Sequence, residues 1–215
     1  MLPESIKNLI QPGDKLIYNR FNSQLLLLHE IAVLLNKMLN CDDADSLKEI
    51  SGQIRQHYLS SAEAYRNNTA HLAKTFITPI DREAVHDLYI RLHAACRSLY
   101  LTSRSLSWLL MMAKDKYLIA MGQNLCKATE VLYELVHDIG CEGRRHVMKH
   151  AAQMHAIRRE MDLTYDQALK KLYEEEAVPG KFIIRHEMLN ALRDATEVCQ
   201  EIAHTGENIV LTSVG

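Results

Sequence analysis

The sequence is short of the residues that cut a chain into small pieces. Its 215 residues include only 8 glycines and 4 prolines, and aromatic residues make up 6%. So few turn formers exclude a sandwich or barrel of many short strands, and also collagen-like or Pro/Gly-rich disordered chains. An excess of one charge is missing too: 25 Lys and Arg stand against 27 Asp and Glu. That excludes the electrostatic footprint of a nucleic-acid binder and the bulk positive charge that holds proteins on anionic lipid. Five cysteines, Cys41, Cys96, Cys126, Cys141 and Cys199, lie far apart with no CxxC pair. Neither a zinc knuckle nor a redox motif can be built from them, and free thiols in a reducing compartment are expected. Long hydrophobic runs are lacking as well. The run at 25–28 is soon followed by His29 and Glu30, and the run at 105–113 is bounded by Arg104 and Lys114. Neither offers the ~20 apolar residues of a membrane span. The opening residues MLPESIKNLI lack the basic-then-apolar order of a signal peptide. The expectation is a cytoplasmic protein, peripheral to a membrane at most.

What the sequence does contain is helical periodicity. Leu118, Met121, Leu125, Ala128, Leu132, Leu135 and Ile139 recur at alternating spacings of three and four, up to Gly140, a candidate C-cap. Phe21 to Leu39 and Ile184 to Ile202 keep the same beat, and no period-two run competes with them. Breaks in the pattern predict six helices, over 15–40, 43–74, 81–113, 115–139, 143–176 and 181–211. Asp42, Asp43 and Asp45 are candidate caps of the second helix, and Asp81 of the third. The second and fifth helices are both very long and both end in a Pro-containing turn. The chain therefore reads as one all-α domain over 1–215, an elongated antiparallel six-helix bundle. It divides into two related three-helix halves, roughly 15–113 and 115–211, sharing long helices.

The turn Lys74-Thr75-Phe76-Ile77-Thr78-Pro79-Ile80-Asp81-Arg82-Glu83 is distinctive. It resembles the Thr-Phe-Ile-Thr-Pro turn of the PhoU-like phosphate-transport-regulator family, in the branch often encoded beside Pit-type phosphate permeases. Leu172 to Glu176, and the run from Ala195 to Ala203 with the tail Glu207 to Leu211, are similar to that family's last two helices. The resemblance spans nearly the whole chain. It implies a PhoU-like bundle, a role in regulating phosphate transport, and a Pit-type phosphate permease as partner. Thr75, Phe76, Thr78, Pro79 and Asp81 carry the family turn.

Each half of such proteins carries paired acidic motifs, an acid and an Asp four residues later. Two carboxylates at i and i+4 share a helix face, so two facing helices can clamp a metal ion. Here the pattern fails. The N-terminal motifs fall on Tyr58 with Ala62 and on His93 with Arg97; the C-terminal ones fall on Arg158 with Asp162 and on Arg193 with Glu197. Only two of eight positions remain acidic. No metal or other cofactor is expected; Glu160, Asp162, Asp194, Glu197 and Glu201 are the fallback ligands. A guanidinium supplies positive charge and matches a carboxylate's geometry. Arg158, Asp162, Arg193 and Glu197 are therefore expected either to form an ion-pair network in place of metal or to be ordinary solvated helix pairs.

Three Glu-x-x-His triplets, Glu83/His86, Glu134/His137 and Glu201/His204, offer a different reading, a ferritin-like carboxylate and histidine metalloprotein. Their placement near helix ends speaks against a buried centre. His146 and His150, with His155 nearby, could chelate zinc, but a solvated basic stretch is the simpler account. Trp108 to Met112 reads as core, or else as a docking surface. No nucleophile elbow, P-loop or dinucleotide fingerprint is present. The sequence thus favours a non-enzymatic regulator or adaptor that does not bind nucleic acid and assembles as a homo-oligomer. The metalloprotein and a purely structural homo-oligomer are the alternatives.

Overall fold

The computed structural model describes residues 12–74, 82–109, 115–141 and 144–212. They form six α-helices and no strand: α1 (Pro12–Asn40), α2 (Ala44–Lys74), α3 (Arg82–Leu109), α4 (Lys116–Cys141), α5 (Arg144–Glu175) and α6 (Pro179–Thr212). The expected all-α six-helix order stands, with ends shifted by physics that periodicity does not carry. Pro12 and Pro179 occupy the first helical positions, where a missing N–H costs nothing, so α1 and α6 start earlier than the apolar beat. α4 runs through Gly140 to Cys141, so Gly140 lies inside the last turn and not beyond it. The family turn Thr75, Phe76, Thr78, Pro79 and Asp81, and the side chains of Trp108 to Met112, lie outside the described residues. Two aspartates start helices: Asp43 Oδ2 accepts from Ser46 N at 2.8 Å, and Asp115 Oδ1 accepts from Tyr117 N at 2.9 Å. The Ser46 hydroxyl first, and then the Ser46 backbone N–H, hold the Asp43 carboxyl below its ordinary pKa.

Within each half, every helix packs on the other two. The halves are joined by α1 against α4 and α3 against α6, while α2 and α5 touch only their own half. The long second and fifth helices are therefore not the shared ones; α6, at 34 residues, packs on α4 and α5 and also reaches α3 of the other half. Burial records the repeat directly. α2 buries Leu47, Ile54, Ser61, Asn68 and Leu72; α5 buries Val147, Met154, Met161, Ala168 and Leu172, each 100 positions later. The seven-residue spacing leaves one narrow buried row on each outer helix, apolar on α5 and interrupted by Ser61 and Asn68 on α2. The inner helices bury far more: Leu25, Leu28, Ile31, Leu35 and Met38 of α1, and Leu125, Ala128, Leu132 and Leu135 of α4, are all 1% exposed or less.

The α1–α4 crossing is antiparallel and tight. His29 Nδ1 lies 2.9 Å from Thr129 Oγ1 at one level, and seven residues on, Asn36 and Leu39 meet Gly122. A Cβ on Gly122 would stand 2.6 Å from Leu39 Cδ1 and 3.2 Å from Asn36 Oδ1. Glycine there lets the backbones close, at the cost of about 1 kcal/mol of helix propensity. Inside the N-terminal half a polar chain replaces apolar packing. Asn68 Nδ2 donates to Gln24 Oε1 at 3.2 Å, and Gln24 Nε2 donates to the Tyr89 carbonyl at 3.2 Å. Gln24 is fully buried, and its amide hydrogen bonds offset the cost of burying it. Gly122→Val should overpack the joint and lower stability by about 1–3 kcal/mol in thermal or urea denaturation; an unchanged midpoint would mean the helices can part without penalty.

Candidate functional site

The eight positions of the acidic motifs lie on two equivalent seams, α2 against α3 and α5 against α6. In the N-terminal seam the rings of Tyr58, Tyr65, His93 and Tyr100 stack in one column. Tyr65 and His93 lie 5.3 Å apart with planes 9° from parallel, His93 and Tyr58 5.7 Å at 12°, and Tyr58 and Tyr100 4.8 Å at 5°. The geometry is offset stacking, which adds about 0.5–1.5 kcal/mol per aromatic pair beyond area burial. Ser61 Oγ stands 3.5 Å from His93 Nδ1. Ala62 is half-buried on the same stretch of α2, and Arg97 is exposed beside the column. Burial, and then the nearby Arg66 and Arg97 charges, lower the pKa of His93. The ring is thereby kept neutral between its tyrosines.

The C-terminal seam repeats the plan with cations. Tyr165, 100 positions after Tyr65, carries the Arg193 guanidinium 4.4 Å from its ring centroid, as Tyr65 carries His93. Its hydroxyl donates to Asn190 Oδ1 at 2.7 Å. Arg158 is the centre of the polar contacts. Its Nη2 lies 3.2 Å from Asp162 Oδ1 and 3.7 Å from Glu197 Oε2, and its Nη1 donates to the Arg193 carbonyl at 3.3 Å. One guanidinium thus bridges α5 and α6. Arg193 does not join the network; it turns to Asp194 at 3.3 Å and to Tyr165. The four residues named from sequence are brought to one seam, but the ion pairing runs through Arg158 alone. The carboxylates are about half exposed, which limits each pair to roughly 0–1 kcal/mol.

The fallback ligands do not assemble. Asp162 and Glu197 share Arg158, and Asp194 sits with Arg193. Glu201 is held across the joint by Arg91 at 2.6 Å, and Arg91 also takes Asp87 at 2.6 Å. Glu160 is exposed, two residues from Asp162 and so on another face of α5. The Glu-x-x-His triplets are also dispersed: Glu134 lies 3.5 Å from His150, and His204 3.6 Å from Glu207. Among the described residues no group of three or more His, Cys, Asp or Glu side chains is arranged to hold a metal ion.

Within the expected solvated basic stretch His146 is exposed, but His150 is not. His150 is 8% exposed, with Nε2 3.1 Å from Asp138 Oδ2, and His146 approaches the same oxygen at 3.9 Å. His155 is elsewhere, 3.3 Å from Gln200. Asp138 had no sequence signal, because its partner is twelve residues away across the α4–α5 turn. The four described cysteine side chains are free. Burial pushes the thiols of Cys96 and Cys199 up to about 12 and that of Cys126 to about 11, so none is an activated nucleophile.

No protein-family model matches the chain. The UPF0111 protein YkaA of Bacillus subtilis (strain 168) is 20% identical over 166 residues, which is 77% of this chain and 81% of the relative. Among solved structures, a PhoU-like protein of Shewanella oneidensis MR-1 superposes with a TM-score of 0.75 at 14% identity, covering 91% of this chain and 99% of that one. A second protein of the same organism, named as PhoU-like and phosphate-regulatory, gives 0.72 at 13% identity over 92% and 100%. The fold is PhoU-like. No described helix is long and apolar enough to cross a membrane.

Because His93 takes up a proton less readily when folded, the unfolded chain binds more protons as pH falls. Stability contributed by the neutral ring is present above the unfolded value of about 6.5 and is lost as pH drops through the lowered folded value. His93→Phe should keep the column and flatten the fall in urea midpoint below pH 6.5; an unaltered pH profile would show that another group governs it. For the cationic seam, elemental analysis of protein prepared without added metal should find no stoichiometric iron, zinc or nickel. Changing Arg158→Glu and Arg193→Glu together should create divalent-ion binding measurable by calorimetry, since four carboxylates then face one seam.

Proposed function

We propose that the chain is a non-catalytic regulator or adaptor of inorganic phosphate transport, acting from the cytoplasm on a Pit-type phosphate permease. The observation that carries this reading is the correspondence of the whole six-helix fold to PhoU-like proteins, one of them named for phosphate regulation. The Thr-Phe-Ile-Thr-Pro turn and its permease-associated branch point the same way. The chemistry of the seams supports a binding role over a catalytic one. Their planar groups are stacked or ion-paired with one another, and the buried thiols are raised far above the range of a nucleophile. Where relatives with acidic motifs would clamp a cation, this chain carries its own positive charge on Arg158 and its own rings on Tyr58 and His93. Regulation would then not depend on metal supply.

Deleting the gene in its own cell and following uptake of radiolabelled phosphate tests the proposal. Loss of the protein should change uptake at least severalfold between phosphate-replete and phosphate-starved growth, and tagged protein should retain the permease on purification. Uptake unchanged under both conditions would overturn the reading.

A further inference from the structure

The packing order puts α2, α3, α6 and α5 side by side on one broad face, since α3 lies against both α2 and α6, and α5 against α6. Its two halves are equivalent in backbone and opposite in charge. The outward stripe of α2 and α3 carries exposed Arg55, Arg66, Arg97 and Arg104; its acids are exposed Glu63 on α2 and Asp87 on α3, the latter paired with Arg91, and none lies between positions 90 and 104. The equivalent stripe of α5 and α6 carries Asp162, Asp166, Asp194, Glu197 and Glu201, with one exposed cation, Arg159, at the place where α2 has Leu59. Two of its arginines, Arg158 and Arg193, are turned into the seam, at 17% and 33% side-chain exposure. The basic half also leaves three apolar side chains in solvent, Leu59 at 51%, Ile90 at 40% and Leu101 at 40%. The opposite broad face has no such division, with Glu30, Lys37, Lys127 and Glu130 interspersed.

We propose that this face is the site of self-association, its occupant a second copy of the same chain. A twofold axis in the plane of the face, parallel to the helices between α3 and α6, sets the basic half of each copy on the acidic half of the other. The arrangement is isologous and closes at two copies. Rotation about such an axis preserves height along the helices. Arg91 meets Glu201 across the joint, so antiparallel Arg97 and Glu197 stand at nearly one height. Arg97 of one copy therefore faces the acidic residues Asp194 and Glu197 of the other, once on each side of the axis. On the outer helices, Tyr58 stands at the height of Tyr100, and Tyr165 at that of Asn190. By the same reckoning Arg55 lies opposite Asp166. Size is no obstacle: helices of 28 to 34 residues span about 40–50 Å, and four abreast exceed the ~800 Å² per partner of a standard interface. Opposite charge steers and orients the encounter, and Leu59, Ile90 and Leu101 supply the apolar area that charge alone does not.

Sedimentation velocity on the full chain over about 1–100 µM is the test. The wild type should sediment as a dimer whose dissociation constant rises about tenfold or more between 0.1 and 1 M NaCl, as screening predicts. The pair Arg55→Glu with Arg97→Glu, and separately the pair Asp166→Arg with Asp194→Arg, should each be monomeric where the wild type is dimeric. Mixing the two reversed proteins should restore dimer mass, because both patches of the mixed pair are again complementary. All four positions are exposed, and circular dichroism checks that the helices persist. The neutralising pair Arg55→Gln with Arg97→Gln should weaken the dimer in the same direction should a reversal unfold the chain. A wild type that stays monomeric at 100 µM in low salt would overturn the proposal. So would reversed variants that remain dimeric, a mixture that stays monomeric, or a monomer that instead captures an acidic partner protein through this face.

Discussion

The close antiparallel approach of α1 and α4 holds the rest in place. Each half alone is three helices around a small core, and the two are made one object where Gly122 lets α4 settle onto Asn36 and Leu39. α3 and α6 close the other side, with Arg91 reaching Glu201 and the buried Cys96 and Cys199 on the two facing helices. Everything attributed to function depends on that alignment. The seams lie one helix outward from the joint, so the heights of Tyr58, His93, Arg158 and Arg193 are set by how α3 and α6 are seated.

The two seams show one backbone plan met by different chemistry. A position facing another helix across a partly desolvated groove must hold groups that satisfy each other. Paired carboxylates would do so only by recruiting a cation. Here the N-terminal seam is filled with flat rings that need no counter-charge, and the C-terminal seam carries a guanidinium already covalently in place. The equivalence of Tyr65–His93 and Tyr165–Arg193 places a planar, nitrogen-bearing group on the same tyrosine face in each half. An imidazole holds that place in one half and a guanidinium in the other, and only the first carries a charge that depends on pH in the ordinary range.

Much of this architecture was legible in the residues. The apolar beat from Leu118 to Leu135 located α4, and the recurrence of apolar positions located the other helices within a few residues. The hundred-residue repeat was visible in helix order, and burial at 47, 54, 61, 68 and 72 against 147, 154, 161, 168 and 172 made it explicit. Arg158 and Asp162 were gathered by i and i+4 spacing, which fixes a shared face, and Glu197 was set beside them by the motif positions of the resemblance. What sequence could not supply was direction. Nothing local told Arg193 to lie on Tyr165 and not beside Glu197, since that choice is made by a ring 28 residues earlier on another helix. The tyrosine column was missed for a similar reason. Tyr58 and Tyr65 sit seven apart, as do His93 and Tyr100, but a seven-residue spacing of aromatics reads equally well as ordinary core. Asp138, the partner of His150, was overlooked because an isolated acid near a helix end carries no pattern, and only the fold shows that it is buried.

The attachment of α2 and α5 to their own halves only has a kinetic side. Each outer helix is held only by the two other helices of its own half, whereas α1 and α4 also pack on each other across the joint. Opening an outer helix breaks contacts in a single half and leaves the four inner helices packed on one another. Backbone amide exchange in α2 and α5 therefore proceeds through partial openings of lower free energy than the global one, while amides of α1 and α4 wait for complete unfolding. The molecule is layered in time as well as in space: a slow inner set of four helices fixes the register, and two faster outer ones carry the surfaces where seams and charges can be rearranged by mutation without dismantling the joint.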